Sequence, residues 1–171
     1  NFQNTVRAIS SRIDLDTGTE DHAHRIDHDN ASLATDVAYD AFGIYAFVAL
    51  ETSREIAVVD VHDNTELFRV DVGRAPQSVA ISPDGLTLYV NNFMDRTVSV
   101  LDLNDLQTTG AWNVTTTAEM QAVANEALAA DVLLGKQLFY DARDTRLAFD
   151  RYLSCAVCHN DGGGDGRVWD L

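Results

Sequence analysis

The chain has 171 residues, 46% of them hydrophobic, enough to bury a core in one large or two small domains. Its formal charge is −15, from 27 acidic against 12 basic residues, and Lys136 is its one lysine. That balance excludes nucleic acid and anionic membrane surfaces as natural partners, and no apolar run approaches the roughly 18 residues of a membrane-spanning helix.

Taken in chain order, the first element is a partial structural unit beginning near Thr5, with a strand over 9–15 and an outer strand over 25–29. Between them, His22, His24 and His28 stand among Glu20, Asp21, Asp27 and Asp29. An exposed polar connection is the simpler reading, with a metal cluster as the alternative. Next comes an internal repeat. Residues 33–48 align without a gap on residues 75–90, a spacing of 42, which sets Val37 on Val79, Gly43 on Gly85 and Phe47 on Tyr89. The register continues as 56–60 meets 98–102. A repeat of this length built from strand-like pieces predicts propeller blades.

The pieces of each copy agree with that. Residues 78–82 alternate polar and apolar as a half-buried strand does. Pro83-Asp84-Gly85 then turns the chain, with Pro presetting φ and Gly supplying a positive φ. Strands follow over 86–90 and 97–101, separated by a turn over 91–96, and residues 67–72 read as an outer strand leading to the next blade. The fold class is therefore mainly β: a partial β-propeller, two blades plus part of a third, over residues 1–114. Residues 115–171 are expected to carry a linker helix and a small α-helical segment. A closed propeller takes about 4–8 blades, so the remaining blades are expected outside this chain.

After Asn113, Thr116-Thr117-Ala118-Glu119 has the form of a capping box and predicts a helix to Ala130, with Met120, Val123 and Ala127 at helical spacing. Asp131 is the predicted cap of a second helix through Val132, Leu133, Leu134, Leu138 and Phe139. From 141 to 171 the sequence reads as loop, apart from a turn at the cysteines.

Both cysteines fall in Cys155-Ala156-Val157-Cys158-His159. Two thiols at this spacing add to the vinyl groups along one edge of haem, and the histidine that follows ligates the iron. Cys155 and Cys158 are thus the candidate covalent anchors of haem c, and His159 the candidate proximal iron ligand. Zinc is a competing reading that needs further ligands, and no second Cys pair exists. A disulfide between the two is another, without the flanking βαβ pattern of a thioredoxin-like protein. Haem attachment of this kind takes place outside the cytoplasm, which implies an exported protein, periplasmic or at the cell surface. The absence of a leader before Asn1 and the few residues after the motif make the chain read as a fragment.

Other features are weaker. The Asp161–Gly166 loop reads as a flexible segment beside the haem, with an oxygen-rich calcium site as the alternative. Arg143, Arg146 and Arg167 are candidates to pair with haem propionates. Tyr152 and Trp169 are read as packing of the haem pocket. The histidines near the N-terminus also offer a distal haem ligand.

Two family resemblances extend this reading. Residues 75–102, with Ser82-Pro83-Asp84-Gly85, Leu88-Tyr89-Val90-Asn91 and Val98-Ser99-Val100-Leu101-Asp102, resemble YVTN-type β-propeller repeats, and the copy beginning at Leu33 is a degenerate one. Residues 134–141, Leu-Gly-Lys-Gln-Leu-Phe-Tyr-Asp, leading through Arg143 and Arg146 to the cysteine motif and the glycine run, resemble the first haem site of the dihaem cytochrome c peroxidase and MauG-like family. The resemblance implies an α-helical cytochrome c domain, a redox partner protein or small-molecule oxidant such as peroxide, and a second haem domain beyond Leu171. The resulting expectation is a peroxidase-like oxidoreductase whose propeller docks a partner or substrate, its catalytic residues unassigned. An electron-transfer cytochrome without catalysis and a non-enzymatic binding module are the alternatives.

Overall fold

The structure, a computed structural model, describes residues 7–159 and 162–166. Four short strands come first: β1 (Ile9–Ser10), β2 (Ile13–Asp14), β3 (Thr19–Glu20) and β4 (Ile26–Asp27), with a single 3-10 turn at His22–His24 before the last. β1 pairs with β4 antiparallel and β2 with β3. The strand expected over 9–15 is thus only two residues long, because the chain leaves the pair at Ser11 and forms its own hairpin. The start of that unit at Thr5 lies outside the described residues.

Two four-stranded antiparallel meanders follow. The first blade is β5 (Ala34–Tyr39), β6 (Tyr45–Leu50), β7 (Glu55–Asp60) and β8 (Thr65–Asp71). The second is β9 (Pro76–Ile81), β10 (Thr87–Asn92), β11 (Thr97–Asp102) and β12 (Thr115–Gln121), with helix α1 (Asn104–Thr109) between β11 and β12. Beyond them lie α2 (Ala130–Phe139) and the single turn α3 (Cys155–Cys158).

Alternation along the strands builds two cores. In β6 and β7, Phe47, Ala49, Ile56 and Val58 face the second blade and pack with its Leu88, Val90, Leu101 and Leu106. Ala46, Val48, Leu50, Ala57 and Val59 face the other way and pack with Ala8 and Ala31 of the N-terminal unit. Both faces of these strands are therefore covered, which is why their sequence is apolar almost without interruption. The second blade differs. Its row Ala80, Tyr89, Val100 and Ala118, aligned across the four strands, lies on the face turned away from the first blade and is largely exposed. Polar contacts lock the blades together: Asp36 Oδ2 accepts from Val79 N at 2.9 Å, and Gln77 Nε2 donates to Glu51 Oε1 at 2.8 Å.

The degenerate turn of the first blade works through a substitution at one repeat position. In the second blade Ser82 Oγ accepts from Thr87 N at 3.0 Å, and Gly85 has φ +77°. In the first, Asp40 stands where Ser82 does, its Oδ1 accepting from Ile44 N and Tyr45 N, with Gly43 at φ +67°. Gly73 has a steric role: a Cβ there would come within 2.6 Å of the Asn92 side chain. Asn92 is itself buried, donating to Thr97 Oγ1 and Ser99 Oγ.

The expected helix from Thr116 to Ala130 is not formed. Residues 115–121 are β12, paired with β11 from Thr97↔Gln121 to Asp102↔Thr115. A capping box is a local signal, and here a full ladder to a preformed neighbour outweighs it. The α1 insertion hid this strand, because it displaces the fourth strand of the second blade beyond the 42-residue register. Residues 61–64 make a tight turn at the same point in the first blade. In α2, Ala129 rather than Asp131 is the N-cap; Asp131 sits in the first turn.

Candidate functional site

α3 is one helical turn started by Ser154 in extended conformation and ended at His159, whose N–H donates to Cys155 O at 3.0 Å. In such a turn, residues three apart share a side, which brings Cys155 and Cys158 to one edge. Between them Ala156 is buried, so the turn is pinned while Cys155 remains exposed and Cys158 half-buried. Both are free thiols.

The residues after the motif fix the imidazole. Gly162 adopts φ +74°, its N–H donates to His159 O at 3.0 Å, and the loop returns so that Gly163 O lies 2.9 Å from His159 Nδ1. A carbonyl only accepts, so Nδ1 is the donor, and in the neutral ring that leaves the lone pair on Nε2. The described part of the glycine run therefore has a positioning role that the sequence reading did not assign. Asp161, Arg167 and Trp169, invoked there for calcium, propionate and packing roles, lie outside the described residues.

A crevice of about 450 Å³ opens beside this loop, lined by Val132, Gly135, Lys136, Phe139 and Tyr140 of α2 and its end, and by Gly162. None of the residues of α2 is buried, and Val132 and Leu134 are about half exposed. The crevice is lined by Gly162 of that loop and not by the cysteines or His159 themselves; two free thiols on one turn and the imidazole that follows are a donor set suited to haem c. Among the described residues, no group of three or more His, Cys, Asp or Glu side chains converges as a metal-ion site would.

The other predicted ligands separate. His24 Nδ1 lies 2.6 Å from Asp21 Oδ2, and His22 contacts Glu20 and Arg25, an exposed polar connection. His28 leaves that group: its side chain is buried, with Nε2 2.8 Å from Ser10 Oγ and Nδ1 2.5 Å from Glu66 Oε2. A signal for this was available, since Arg25-Ile26-Asp27-His28 matches Arg69-Val70-Asp71-Val72, where the fourth position is apolar and packs against the core. Arg143 binds Asp71 at 2.6 Å and Glu55 at 3.3 Å on the first blade, and Arg146 holds Asp144, whose carboxyl is lowered to about 2 by that guanidinium. Both guanidiniums are thus engaged by carboxylates of the chain itself. Tyr152 is half-buried.

No protein-family model and no curated protein matches the chain. Solved structures do. Hydrazine synthase of Kuenenia stuttgartiensis aligns over 62% of this chain and 28% of its own, at 24% identity and a TM-score of 0.51. The β-propeller domain of Cps50 (Swd1) from Myceliophteria thermophila aligns over 65% and 37%, at 14% identity and a TM-score of 0.54. The dihydro-haem d1 dehydrogenase NirN aligns over 71% and 24%, at 18% identity and a TM-score of 0.50. The chain thus spans between 24% and 37% of these proteins' lengths, and the likeness establishes a β-propeller fold.

Proposed function

We propose that the chain is the propeller-to-cytochrome junction of an exported c-type haem redox protein. Cys155 and Cys158 are the thioether anchors and His159 the proximal iron ligand. The observation that carries this is the Nδ1 contact of His159 to Gly163 O, which presents Nε2 directly after two free thiols on one helical turn. Haem c, when bound, supplies one-electron chemistry at iron. This chain's residues contribute the rest: α3 sets the spacing of the thiols, Gly162 and Gly163 orient the imidazole, and α2 lines the adjacent crevice. One of the similar structures is by name a dihydro-haem d1 dehydrogenase, which supports pairing this fold with haem chemistry.

Within that class, the likeness of about residues 131–171 to dihaem cytochrome c peroxidases and MauG-like proteins makes peroxide reduction by the whole protein the reaction proposed. The propeller would then present the surface for a redox partner. The test is to export the protein in a host with haem-attachment machinery and follow the haem through denaturation. Covalent haem lost in Cys155→Ala and Cys158→Ala is the expected result. A parent protein that carries no covalent haem in such a host overturns the reading, and haem without peroxide turnover after reduction reduces it to an electron carrier.

A further inference from the structure

Two arginines occupy the same place in the two blades. Arg54 closes the turn between β6 and β7, and Arg96, 42 residues on, closes the turn between β10 and β11. Both adopt left-handed backbone, φ +57° and +59°. Their carbonyls do the same work, Arg54 O accepting from Val72 N at the end of β8 and Arg96 O from Ala122 N at the end of β12. Any residue supplies a carbonyl, and glycine would supply it without the steric cost that a side chain pays in this conformation. The arginine side chains therefore call for their own explanation.

Arg96 also donates Nη1 to Phe93 O at 2.5 Å within its own turn, and both guanidiniums reach further, into the segment that follows the propeller. Arg96 Nε donates to Glu126 Oε2 at 2.6 Å, and Arg54 Nη2 donates to Asp141 Oδ2. Asp141 is only 4% exposed, its other oxygen accepting from Arg143 N at 2.9 Å. Around this pair the contacts continue in both directions. Ala142, fully buried, donates its N–H to Thr52 O at 2.9 Å, Arg143 reaches Asp71 and Glu55, and Gln137 Nε2 donates to Met94 O at 2.8 Å. Nearer the cysteines, Leu153 and Val157 line a small cleft against Ala8, Ala31 and Leu33 of the propeller.

We propose that Arg54 and Arg96 form a repeat-encoded seat that holds residues 126–143 on one edge of the propeller, so that the cysteine-bearing turn is carried on the propeller and not on a free tether. The occupant is this chain's own segment, chosen by charge: two carboxylates, Glu126 and Asp141, meet two arginines that recur with the blade repeat. A buried carboxylate facing a guanidinium resists exposure to water more than an exposed pair does, so Asp141 is the principal contact and Glu126 the lesser one. The proposal depends on the haem reading only for what the segment carries.

The experiment uses the exported full-length protein and hydrogen exchange read by mass spectrometry. The variant is Arg54→Gly with Arg96→Gly, which suits the left-handed turns and removes both guanidiniums. Exchange in the peptide over 137–143 is expected to rise about tenfold or more, with peptides from β6 and β7 unchanged. A second variant, Asp141→Asn, leaves the blades untouched and is expected to give the same local acceleration. Unchanged exchange over 137–143 in both variants overturns the seat. Equal acceleration in β6 and β7 also overturns it, since the arginines would then be parts of the blade itself. Covalent haem is measured on the same samples. A response without haem keeps the seat and sinks the haem reading, whereas haem without a response does the reverse.

Discussion

Phe47 and Leu134 are both apolar and both sit on regular elements, yet one is fully buried between two sheets and the other 53% exposed on α2. The blades are held by cores that cross from sheet to sheet, in which each strand face is buried by the next unit. The segment from 130 to 159 touches the propeller through a few ion pairs and backbone contacts, with Cys155 and His159 exposed and Cys158 half-buried. The propeller region thus spends its sequence on packing, and the segment after it spends its sequence on presenting reactive atoms. The first kind of region tolerates chemistry-neutral replacement but not loss of volume, and the second the opposite.

The largest test of this division is Phe47→Ala. Removing a fully buried aromatic from the interface of two blades is expected to destabilise by about 3–5 kcal/mol. Chemical denaturation of the full-length protein measures it, and a loss below about 1 kcal/mol would show that the blades do not share a core. Leu134→Ala is the matched control and should move the midpoint little. Gly73→Ala comes next. Its new Cβ meets Asn92, which is buried and bonded to Thr97 and Ser99, so the strand end must shift, at about 1–3 kcal/mol. A variant as stable as the original would mean that Asn92 moves freely, contrary to its hydrogen bonds.

The same division decides what could be read from the sequence. The blades were legible because a gapless 42-residue repeat carries strand alternation and turn residues together, and two such copies agree with each other at Gly43 and Gly85. β12 was not legible, because the α1 insertion broke that register and left only a local signal, Thr116 to Glu119, that favours a helix start. His28 was misplaced for a related reason: its neighbours in sequence are exposed acids, whereas its partners, Ser10 and Glu66, come from β1 and β8. That Cys155 and Cys158 share one turn directly before His159 was legible from spacing alone, since adjacency in sequence sets that geometry. The carbonyl that orients His159 was not, because it depends on how a glycine run folds back.

Between the two regions in size is an acid test at the junction of the N-terminal unit with the first blade. Burial raises the carboxyl of Glu66, but hydrogen bonds from His28 and Arg69 outweigh that and hold it below its ordinary value of 4.5. A depressed carboxyl stabilises the fold fully above 4.5, and the contribution is lost as pH falls through the lower folded-state value. Glu66→Gln resembles the protonated form. The stability difference between the original and this variant should therefore be constant near neutral pH and shrink in acid below that ordinary value. A difference that does not change with pH would mean that Glu66 is not ionised opposite His28.

The smallest effect on stability is expected at the site where the chemistry is presented. Gly162 has φ +74° and nothing within 4 Å of an added Cβ, so Gly162→Ala carries only the backbone cost, about 1 kcal/mol. The added Cβ meets nothing of the blades, which should unfold at an unchanged midpoint. What should change is the histidine. A residue that avoids the left-handed conformation relaxes the loop, moves Gly163 O away from His159 Nδ1, and frees the ring to turn or change tautomer. With the proposed haem attached, the readout is the iron's ligation spectrum together with its reduction potential, and both are expected to shift. Gly162→Asn, a side chain that tolerates positive φ better, should restore part of the original signature. If the iron signature stays unchanged in Gly162→Ala, the Gly163 carbonyl does not fix the imidazole. The proposed ligation would then follow from the cysteine spacing alone, and Gly162 and Gly163 would have no positioning role.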